Sequence, residues 1–335
     1  MMKTKLGVIY GGMSSENEVS KVSASYVLNN LDKNKYDIYP IYIDKTGKWF
    51  YEEKEIDNYI NFLKDMDILF PVLHGLYGED GTIQGLFELI KKPYVGCKVL
   101  GSAIGMDKIY AKTIFKSAGI NVAPYVYVKK LNDKYILVDK HFNEEILSIE
   151  DIIPKIEEEI NYPIFIKPSN QGSSVGITKA HNSKELESGL IDAFNYDRKI
   201  LLEEGIVGRE VECGVLGNEE VIASSVGEVI VKSDEFYSYD AKYNDETTIT
   251  EIPASISKDL SDEIRELAIK AFKAIDGKGL SRVDFFIEKD TNRIIINEIN
   301  TLPGFTSISM YPKLFDNVGI KYSELLDRLI ELSKE

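Results

Sequence analysis

The amino-acid sequence predicts an α/β fold that turns α+β in its C-terminal half, on three observations. In the first part, up to about residue 100, short apolar runs alternate with helical patterns, the β-α-β rhythm of a parallel sheet. Beyond residue 160, strand-like runs follow one another through turns, with fewer helical patterns between them. The length of 335 residues fits two or three domains at about 100–200 residues each. We place these at 1–100, 101–203 and 204–335: an N-terminal parallel-sheet domain followed by two α+β domains.

Apolar residues make up 44% of the chain, enough for real cores and too many for a disordered one. A net charge of −15 argues against a general affinity for nucleic acid or an anionic membrane. Any phosphate ligand must then be held by locally placed Lys and Arg. Cys97 and Cys213 lack metal-type spacing and read as reduced packing residues more readily than as a disulfide. The start, MMKTKLGVIYGG, has too short an apolar run for a signal peptide, and no run approaches the roughly 18 residues of a membrane span. The expectation is a cytoplasmic protein.

Leu6–Tyr10 reads as a strand ending at Gly11-Gly12. A helix follows from Ser15, with Ser15 to Glu18 as an S-x-x-E capping box and Val19, Val22 and Tyr26 as its inward stripe. Ile38–Ile43 and Ile68–Val72 continue the sheet, and the latter runs into the loop His74–Gly81. Ligands of open parallel sheets sit beyond the carboxyl ends of the strands, where both that loop and the Gly11–Glu16 turn lie. The turn is GGMSSE and not G-x-G-x-x-G, and Glu16 at the helix start would repel a pyrophosphate. An ammonium group suits Glu16 better, although a carboxylate there also favours the helix by itself.

Asp107 caps a helix to Ala118, with Ala111, Ile114, Phe115 and Ala118 inward and Gly119 as the stop. Lys108 at its start opposes the helix dipole unless an anion is near. Val122–Val128 is strand-like, Lys129–Asp151 is an insertion or long connection, and Ile152–Ile160 is a short acidic helix. The run IFIKPSNQGSSVGI, Ile164–Ile177, brings a strand to Lys167, then a Gly/Ser loop, with Val175–Lys179 returning as a strand. A Walker loop places its lysine after the glycines and before a helix. Here the lysine precedes a loop between strands, so the segment reads as a flap over phosphates, with an exposed hairpin tip as the plain alternative.

Leu186–Phe194 is helical, and Ile200–Ile206 is a strand whose Glu203 and Glu204 suit an adenine amino group or ribose hydroxyls, or are a solvated acidic pair. Val211–Leu216 and Val221–Val229 are sheet strands. Phe236–Tyr243, with three tyrosines and Lys242, reads as a loop that closes over a flat or anionic ligand, or as one pinned to the surface. Leu260, Ile264, Leu267, Ala268, Ala271 and Ile275 form the clearest helix, ended by Gly277. Leu302–Ser307 is a turn able to offer N–H groups to an oxyanion, and Leu325, Leu326, Leu329 and Ile330 mark a final amphipathic helix.

The most informative stretch is SRVDFFIEKDTNRIIINEINTLPG, Ser281–Gly304. Arg282–Glu288 and Arg293–Ile299 read as two strands joined by Lys289–Asn292. Alternation puts Arg282, Asp284 and Phe286 on one face, and Glu298 and Asn300 on one face of the partner. Two carboxylates and an amide among Ile and Phe need a cation, and their hard oxygens suit Mg²⁺ shared with phosphate. Asp284 opposes Glu298 directly only if the turn has an odd number of residues; an even turn requires a bulge. Lys108, Lys167 and Lys242 are available for phosphates, and Arg282 for charge developing in a transferring group. No Ser-His-Asp set is visible and His74, His141 and His181 have no metal-ligand spacing. The chemistry is phosphoryl transfer from ATP. With Glu16 for an ammonium and Gly304 near an oxyanion, the product is an amide made through an acyl phosphate.

Lys167–Gly176 (KPSNQGSSVG) and the set Asp284, Glu298 and Asn300 resemble the ATP-grasp enzymes. More closely, GGMSSENEVS, HGLYGEDGTIQG, GMDK, KPSNQGSSVG, YDAKY, RVDFF and NEINTLPGFTSISMYP resemble the D-alanine–D-alanine ligases in order and spacing, over nearly the whole chain. The resemblance implies an N-terminal domain and two α+β domains clamping ATP. It implies that Glu16 binds the ammonium of the first D-alanine and forms a triad with Ser173 and Tyr243. His74, Glu79, Ser309 and Met310 then lie by the substrates. Lys108, Lys167 and Lys242 hold phosphates with Ser173 and Ser174 of the flap; Glu203, Glu204, Ile206, Glu210 and Phe236 hold the nucleoside. Asp284, Glu298 and Asn300 bind two Mg²⁺, with Mn²⁺ as a substitute, and Arg282 and Gly304 serve the oxyanion. A cytoplasmic homodimer supplying peptidoglycan precursors is also implied. Tyr243 and apolar Met310 match D-alanine as second substrate; a D-serine or D-lactate ligase of the glycopeptide-resistance type, a non-catalytic nucleotide-binding regulator and a carboxylate kinase are the rivals.

Overall fold

Three sheets follow one another along the chain, and each contributes one wall of a shared cavity. The structure is a computed structural model that describes residues 3–231 and 248–335. The first sheet comprises β1 (Thr4–Gly11), β2 (Tyr36–Ile43), β3 (Trp49–Tyr51), β4 (Lys54–Glu55) and β5 (Ile68–Pro71), with α1 (Asn17–Asn30) and α2 (Tyr59–Lys64) between them. Its order is β4-β3-β2-β1-β5. β1 runs parallel to β2 and β5, as the sequence rhythm predicts, while β3 and β4 extend the edge antiparallel. β5 is buried throughout, the continuous apolar run of a strand covered on both faces.

α1 departs from expectation. It starts at Asn17 with Glu16 in the N-cap place and no side-chain cap, so the Ser15 capping box does not form. Its buried face is Asn17, Ser20, Ser23, Ala24 and Val27, while Val22 and Tyr26 are exposed. The reason is that this face serves loops rather than a greasy core: Ser20 Oγ donates to Val72 O and accepts from Gly11 N, and Asn17 Nδ2 donates to Gly12 O. A search for apolar periodicity points to the wrong side of such a helix.

Three helices lead to the second sheet: α3 (Thr82–Leu89), α4 (Val99–Met106) and α5 (Lys108–Ser117). Asp107 caps α5 by accepting from Ile109 N and Tyr110 N, and Gly119 follows its end at φ +73°, as predicted. The second sheet holds β6 (Tyr125–Leu131), β7 (Lys134–Val138), β8 (Glu144–Leu147), β9 (Ile164–Pro168), β10 (Thr178–Ala180) and β11 (Lys199–Glu204), with α6 (Ile149–Glu159) and α7 (Ser183–Ala193). Its order is β10-β9-β11-β6-β7-β8 and its pairing antiparallel. The segment Lys129–Asp151 is thus ordinary sheet edge; Tyr135, Ile136, Leu137 and Val138 are buried, a signal its surrounding charges obscure. The strand after the flap starts at Thr178, so Val175–Ile177 still belongs to the loop.

The third sheet holds β12 (Gly208–Gly217), β13 (Val221–Val231), β14 (Thr248–Glu251), β15 (Gly279–Glu288) and β16 (Ile294–Asn300), in the order β14-β13-β12-β15-β16. α8 (Lys258–Ala274) covers it: Ile264, Ala268, Ala271 and Phe272 share one core with Val211, Val283, Phe285 and Ile296. Burying each large apolar side chain there contributes about 1.5–3 kcal/mol. After α9 (Met310–Asn317), α10 (Tyr322–Leu332) returns to the first sheet, where Leu325, Leu326, Leu329 and Ile330 join Leu6, Val8 and Val27. Tyr36 Oη seals that return by donating to Asp327 Oδ1 at 2.9 Å. Cys97 and Cys213 are free and buried, which pushes both thiols up to about 12. Among the described residues no helix is long and apolar enough to cross a membrane.

Candidate active site

The hairpin β15–β16 resolves the question of parity. Arg282 pairs with Asn300 and Asp284 with Glu298, but Phe285 pairs with Ile296. Asn297 is the extra residue of a bulge, and Glu288 N bonds Arg293 O across the four-residue turn Lys289–Asn292. An even turn plus a bulge therefore brings the two carboxylates face to face. Asp284 is 2% exposed and accepts from Arg282 Nε and Nη2, both at 2.7 Å, and from Asn300 Nδ2 at 3.0 Å. Arg282 Nε also lies 3.0 Å from Glu212 Oε2. Burial alone would lower the pKa of Arg282, but Asp284 and Glu212 outweigh it and keep the guanidinium charged.

The lysines come from other elements. Lys108, at the start of α5, donates to Gln171 O at 2.7 Å and lies 3.9 Å from Glu298 Oε2. Lys167, at the end of β9, lies 3.1 Å from Glu203 Oε2 and 3.4 Å from Asn297 Oδ1. The flap after β9 turns through left-handed backbone at Ser173 and Ser174, and Ser173 Oγ donates to Glu16 Oε1. First sheet and flap thus meet through one of the bonds that the sequence reading named.

His74 and Glu79 tie the first sheet to the turn after β16. His74 Nδ1 lies 3.1 Å from Leu302 O and Nε2 lies 3.0 Å from Ser23 Oγ. Burial lowers its pKa against the pull of Glu16, so the ring is neutral, with Nδ1–H donating to the carbonyl and Nε2 accepting from the serine. Glu79 accepts from Gly75 N at 2.8 Å and Leu302 N at 3.2 Å. Desolvation and the nearby Glu16 nevertheless raise its pKa to about 8.

Two sequence candidates are engaged otherwise than as simple nucleoside ligands. The Glu203 carboxylate sits between Lys112 and Lys167, and those two lysines overcome burial to lower its pKa. Glu204 Oε2 accepts from Asn161 N and Nδ2, each at 3.1 Å. Ser309 Oγ accepts from Thr306 N at 2.9 Å beside Gly304.

These elements enclose one cavity of about 800 Å³. Every candidate named from the sequence that lies among the described residues lines it: Glu16, His74, Glu79, Lys108, Lys167, Ser173, Ser174, Glu203, Glu204, Ile206, Glu210, Arg282, Asp284, Glu298, Asn300, Gly304, Ser309 and Met310. Phe236, Lys242 and Tyr243 lie outside the described residues. The sequence reading missed Lys112, Glu212 and Asn297. Glu212 had a readable signal, since it alternates with Glu210 on one strand; β12 pairs it with Asp284.

The donor set fits Mg²⁺. Asp284 and Glu298 offer carboxylate oxygens and Asn300 an amide oxygen on adjacent strands, the hard donors that Mg²⁺ takes. Among the described residues no group of three His, Cys, Asp or Glu could hold a metal by itself. A cation here must complete its shell with water or a ligand's phosphates, the habit of Mg²⁺ rather than of a structural zinc.

A family model described as D-ala D-ala ligase C-terminus matches residues 114–331, and one described as D-ala D-ala ligase N-terminus matches 5–62 and 52–97. A D-alanine–D-alanine ligase of Acetivibrio thermocellus is 48% identical, with 99% of this chain and 96% of the relative covered. One of Clostridium acetobutylicum is 49% identical, covering 99% and 98%. Among solved structures, the VanG D-Ala:D-Ser ligase from Enterococcus faecalis superimposes with a TM-score of 0.84 at 38% identity, covering 99% of this chain and 100% of that one. The D-alanine–D-alanine ligase from Coxiella burnetii gives 0.83 at 32%, covering 99% and 94%.

Proposed function

The chain belongs to the D-alanine–D-alanine ligase family, and from that premise we propose how its cavity divides the work. The protein is an ATP-dependent ligase that joins two D-alanines for peptidoglycan synthesis. In our reading the carboxylate of the first D-alanine takes the γ-phosphoryl group of ATP, giving D-alanyl phosphate and ADP. The amine of the second D-alanine attacks that acyl carbon, loses a proton, and expels phosphate to leave the amide.

Glu16 receives the ammonium of the first D-alanine, and its bond to Ser173 draws the flap over the reacting atoms. Lys108 and Lys167 hold phosphates, while the strand end at Glu204–Ile206 and Glu210 border the nucleoside. Asp284, Glu298 and Asn300 would hold Mg²⁺, which when bound neutralises phosphate charge. Arg282 gives two of its five N–H groups to Asp284 and retains others for the acyl oxygen, with Gly304 N–H as its companion. Met310 presents an apolar wall: a Cβ on Gly227 would lie 2.4 Å from its Cε, so the wall is closely backed. That favours the methyl of D-alanine over a hydroxymethyl, by a modest margin. The three sheets support the division into units 1–100, 101–203 and 204–335. The reading extends to a cytoplasmic homodimer.

The observation that carries this is the convergence on one cavity of Glu16 and Lys108, at two helix starts, with Lys167, Asp284 and Glu298 of the second and third sheets. The test is release of ADP and phosphate with D-alanine, D-serine, D-lactate and L-amino acids, with products identified by mass. D-alanyl-D-alanine as main product is expected. ADP without dipeptide would mark a carboxylate kinase, and no turnover with any amino acid a regulator.

A further inference from the structure

Lys112 is the most deeply buried cation beside the cavity, and the roles assigned above leave it unused. It lies one helical turn beyond Lys108 on α5, on the same face. Its side chain is 2% exposed, so no phosphate reaches it. A buried ammonium is costly unless it is paired, and Lys112 has two partners. Nζ donates to Glu203 Oε1 at 2.8 Å and to Asn297 O at 3.3 Å.

Those partners matter more than the burial. Glu203 is 4% exposed and offers its second oxygen to Lys167, which at 12% is the outermost of the three. One carboxylate between two lysines leaves one positive charge in excess, and the geometry delivers it at Lys167, which lines the cavity. Without Lys112 the remaining Glu203–Lys167 pair is neutral, and Lys167 is held back by its carboxylate. Asn297 is the bulge residue that sets Asp284 opposite Glu298. Lys112 grips its carbonyl while Lys167 lies near its side-chain oxygen. The same pair of lysines thus joins the second sheet to the bulge of the third.

We propose that Lys112 is a positioning residue for nucleotide binding: by neutralising Glu203 it directs the charge of Lys167 to the phosphates, and by holding the Asn297 carbonyl it fixes the bulge between the metal-facing carboxylates. This rests on the ATP-dependent ligation proposed above. It differs from a packing role in what it predicts, because packing is served equally well by a methionine of similar length.

The experiment compares the full chain with Lys112→Met and with Lys112→Met/Glu203→Gln. Mg·ATP affinity is read by calorimetry, and KM for ATP and for D-alanine from steady-state rates. Lys112→Met is expected to weaken Mg·ATP binding and raise KM for ATP by about tenfold or more, as loss of one charge near a polyanion requires. KM for D-alanine stays within about twofold, since the ammonium site lies elsewhere. The double variant removes one charge of each sign, restores the excess at Lys167, and recovers most of the ATP affinity. Its Met and Gln leave the two most buried positions of the triad without charge, with only the outermost group, Lys167, ionised, so it keeps the test open where the single variant folds poorly. Unchanged ATP affinity in Lys112→Met, equal losses for ATP and D-alanine, or a double variant no better than the single one each overturns the proposal. Calorimetry needs no turnover: a parent protein that binds Mg·ATP but makes no dipeptide would refute the ligation and leave the lysine test standing.

Discussion

Gly172 offers a clean probe of the contact between flap and first sheet. It does not sit in left-handed backbone, so alanine brings no conformational penalty of that kind. A Cβ there would lie 2.8 Å from Glu16 Oε2, and its three nearest neighbours are all atoms of the Glu16 carboxyl group. Ordinary contact begins at 3.4 Å, so the carboxylate must retreat by about 0.6 Å, the difference between the two distances. Glu16 is 5% exposed and already bonded to Ser173, and Gly75 also packs on Oε2, where a Cβ would meet it at 2.4 Å. The retreat therefore weakens the bond to Ser173. A hydrogen bond to a charged group contributes about 1.5–3 kcal/mol, and loss of part of it, about 1–2 kcal/mol, is a factor of about 5–30. Gly172→Ala should raise KM for D-alanine by that factor, measured as D-alanine-dependent ADP formation at saturating Mg·ATP. Because the added methyl acts only through Glu16, Gly172→Ala/Glu16→Ala should be no worse than Glu16→Ala alone. An unchanged KM, or losses that simply add, would refute the placement of Glu16 against the flap.

Glu298→Gln keeps the shape of the hairpin but removes a carboxylate from the set that faces Mg²⁺. Turnover should fall at least about a hundredfold with the thermal midpoint little changed; near-normal rates would sink its metal role. Chelating divalent cations should abolish turnover and weaken ATP binding in calorimetry, with recovery on adding Mg²⁺ and then Mn²⁺; ATP binding indifferent to chelation would contradict the donor set. Burial and the neighbouring Glu16 raise the Glu79 carboxyl to about 8 in the folded protein, against an ordinary value of about 4.5. The folded state then binds more protons than the unfolded chain between about pH 4.5 and 8, so the stability this group contributes is present at low pH and lost as pH rises through 8. Glu79→Gln should flatten that decline in denaturant titrations at pH 6 and pH 9, and an identical slope in both proteins would count against the raised pKa.

What the sequence disclosed depended on whether a segment's local pattern matched its tertiary task. α5 is legible because cap, apolar stripe and stop agree with what it buries, α8 because stripe and stop do, and β1 and β5 because their apolar runs are continuous. α1 was misread on its inward face because that face bonds to loops through Ser20 and Asn17. The Lys129–Asp151 segment hides two strands because the short apolar run of β7 is flanked by charge and the edge strand β8 carries Glu144 and Glu145. In the site, Asp284, Glu298 and Asn300 stood out as polar groups in apolar strands, and alternation gave their faces. It could not choose between an odd turn and a bulge, because that choice depends on Asn297 being held from the neighbouring sheet. Lys112 was invisible for the same reason. A lysine on a helix reads as solvent-facing until its partners, far away in sequence at Glu203 and Asn297, are brought to it.

A chain with net charge −15 that binds a polyphosphate needs an electrostatic account, and the cavity wall sharpens the need. Its described lining carries Glu16, Glu203, Glu204, Glu210, Glu212, Glu228, Asp284 and Glu298, besides Glu79 with its raised pKa, against Lys108, Lys167, Arg209, Arg282 and Lys313. Several of those cations are already paired within the wall, Arg282 with Asp284 and Glu212, Arg209 with Glu228, and Lys167 with Glu203. Two like charges about 6 Å apart at an effective dielectric of about 20 repel by about 3 kcal/mol, so a bare triphosphate is driven from the acidic side. The wall becomes compatible with ATP only where positive charge is concentrated. The fold concentrates it in two places. In the proposed reading, divalent cations held by Asp284, Glu298 and Asn300 would supply positive charge on the acidic side of the wall. Lys112, buried behind Glu203, converts a neutral ion pair into a triad with charge left over at Lys167. Both devices meet at Asn297, which explains why a single unpaired residue in a hairpin is held by lysines from two other elements.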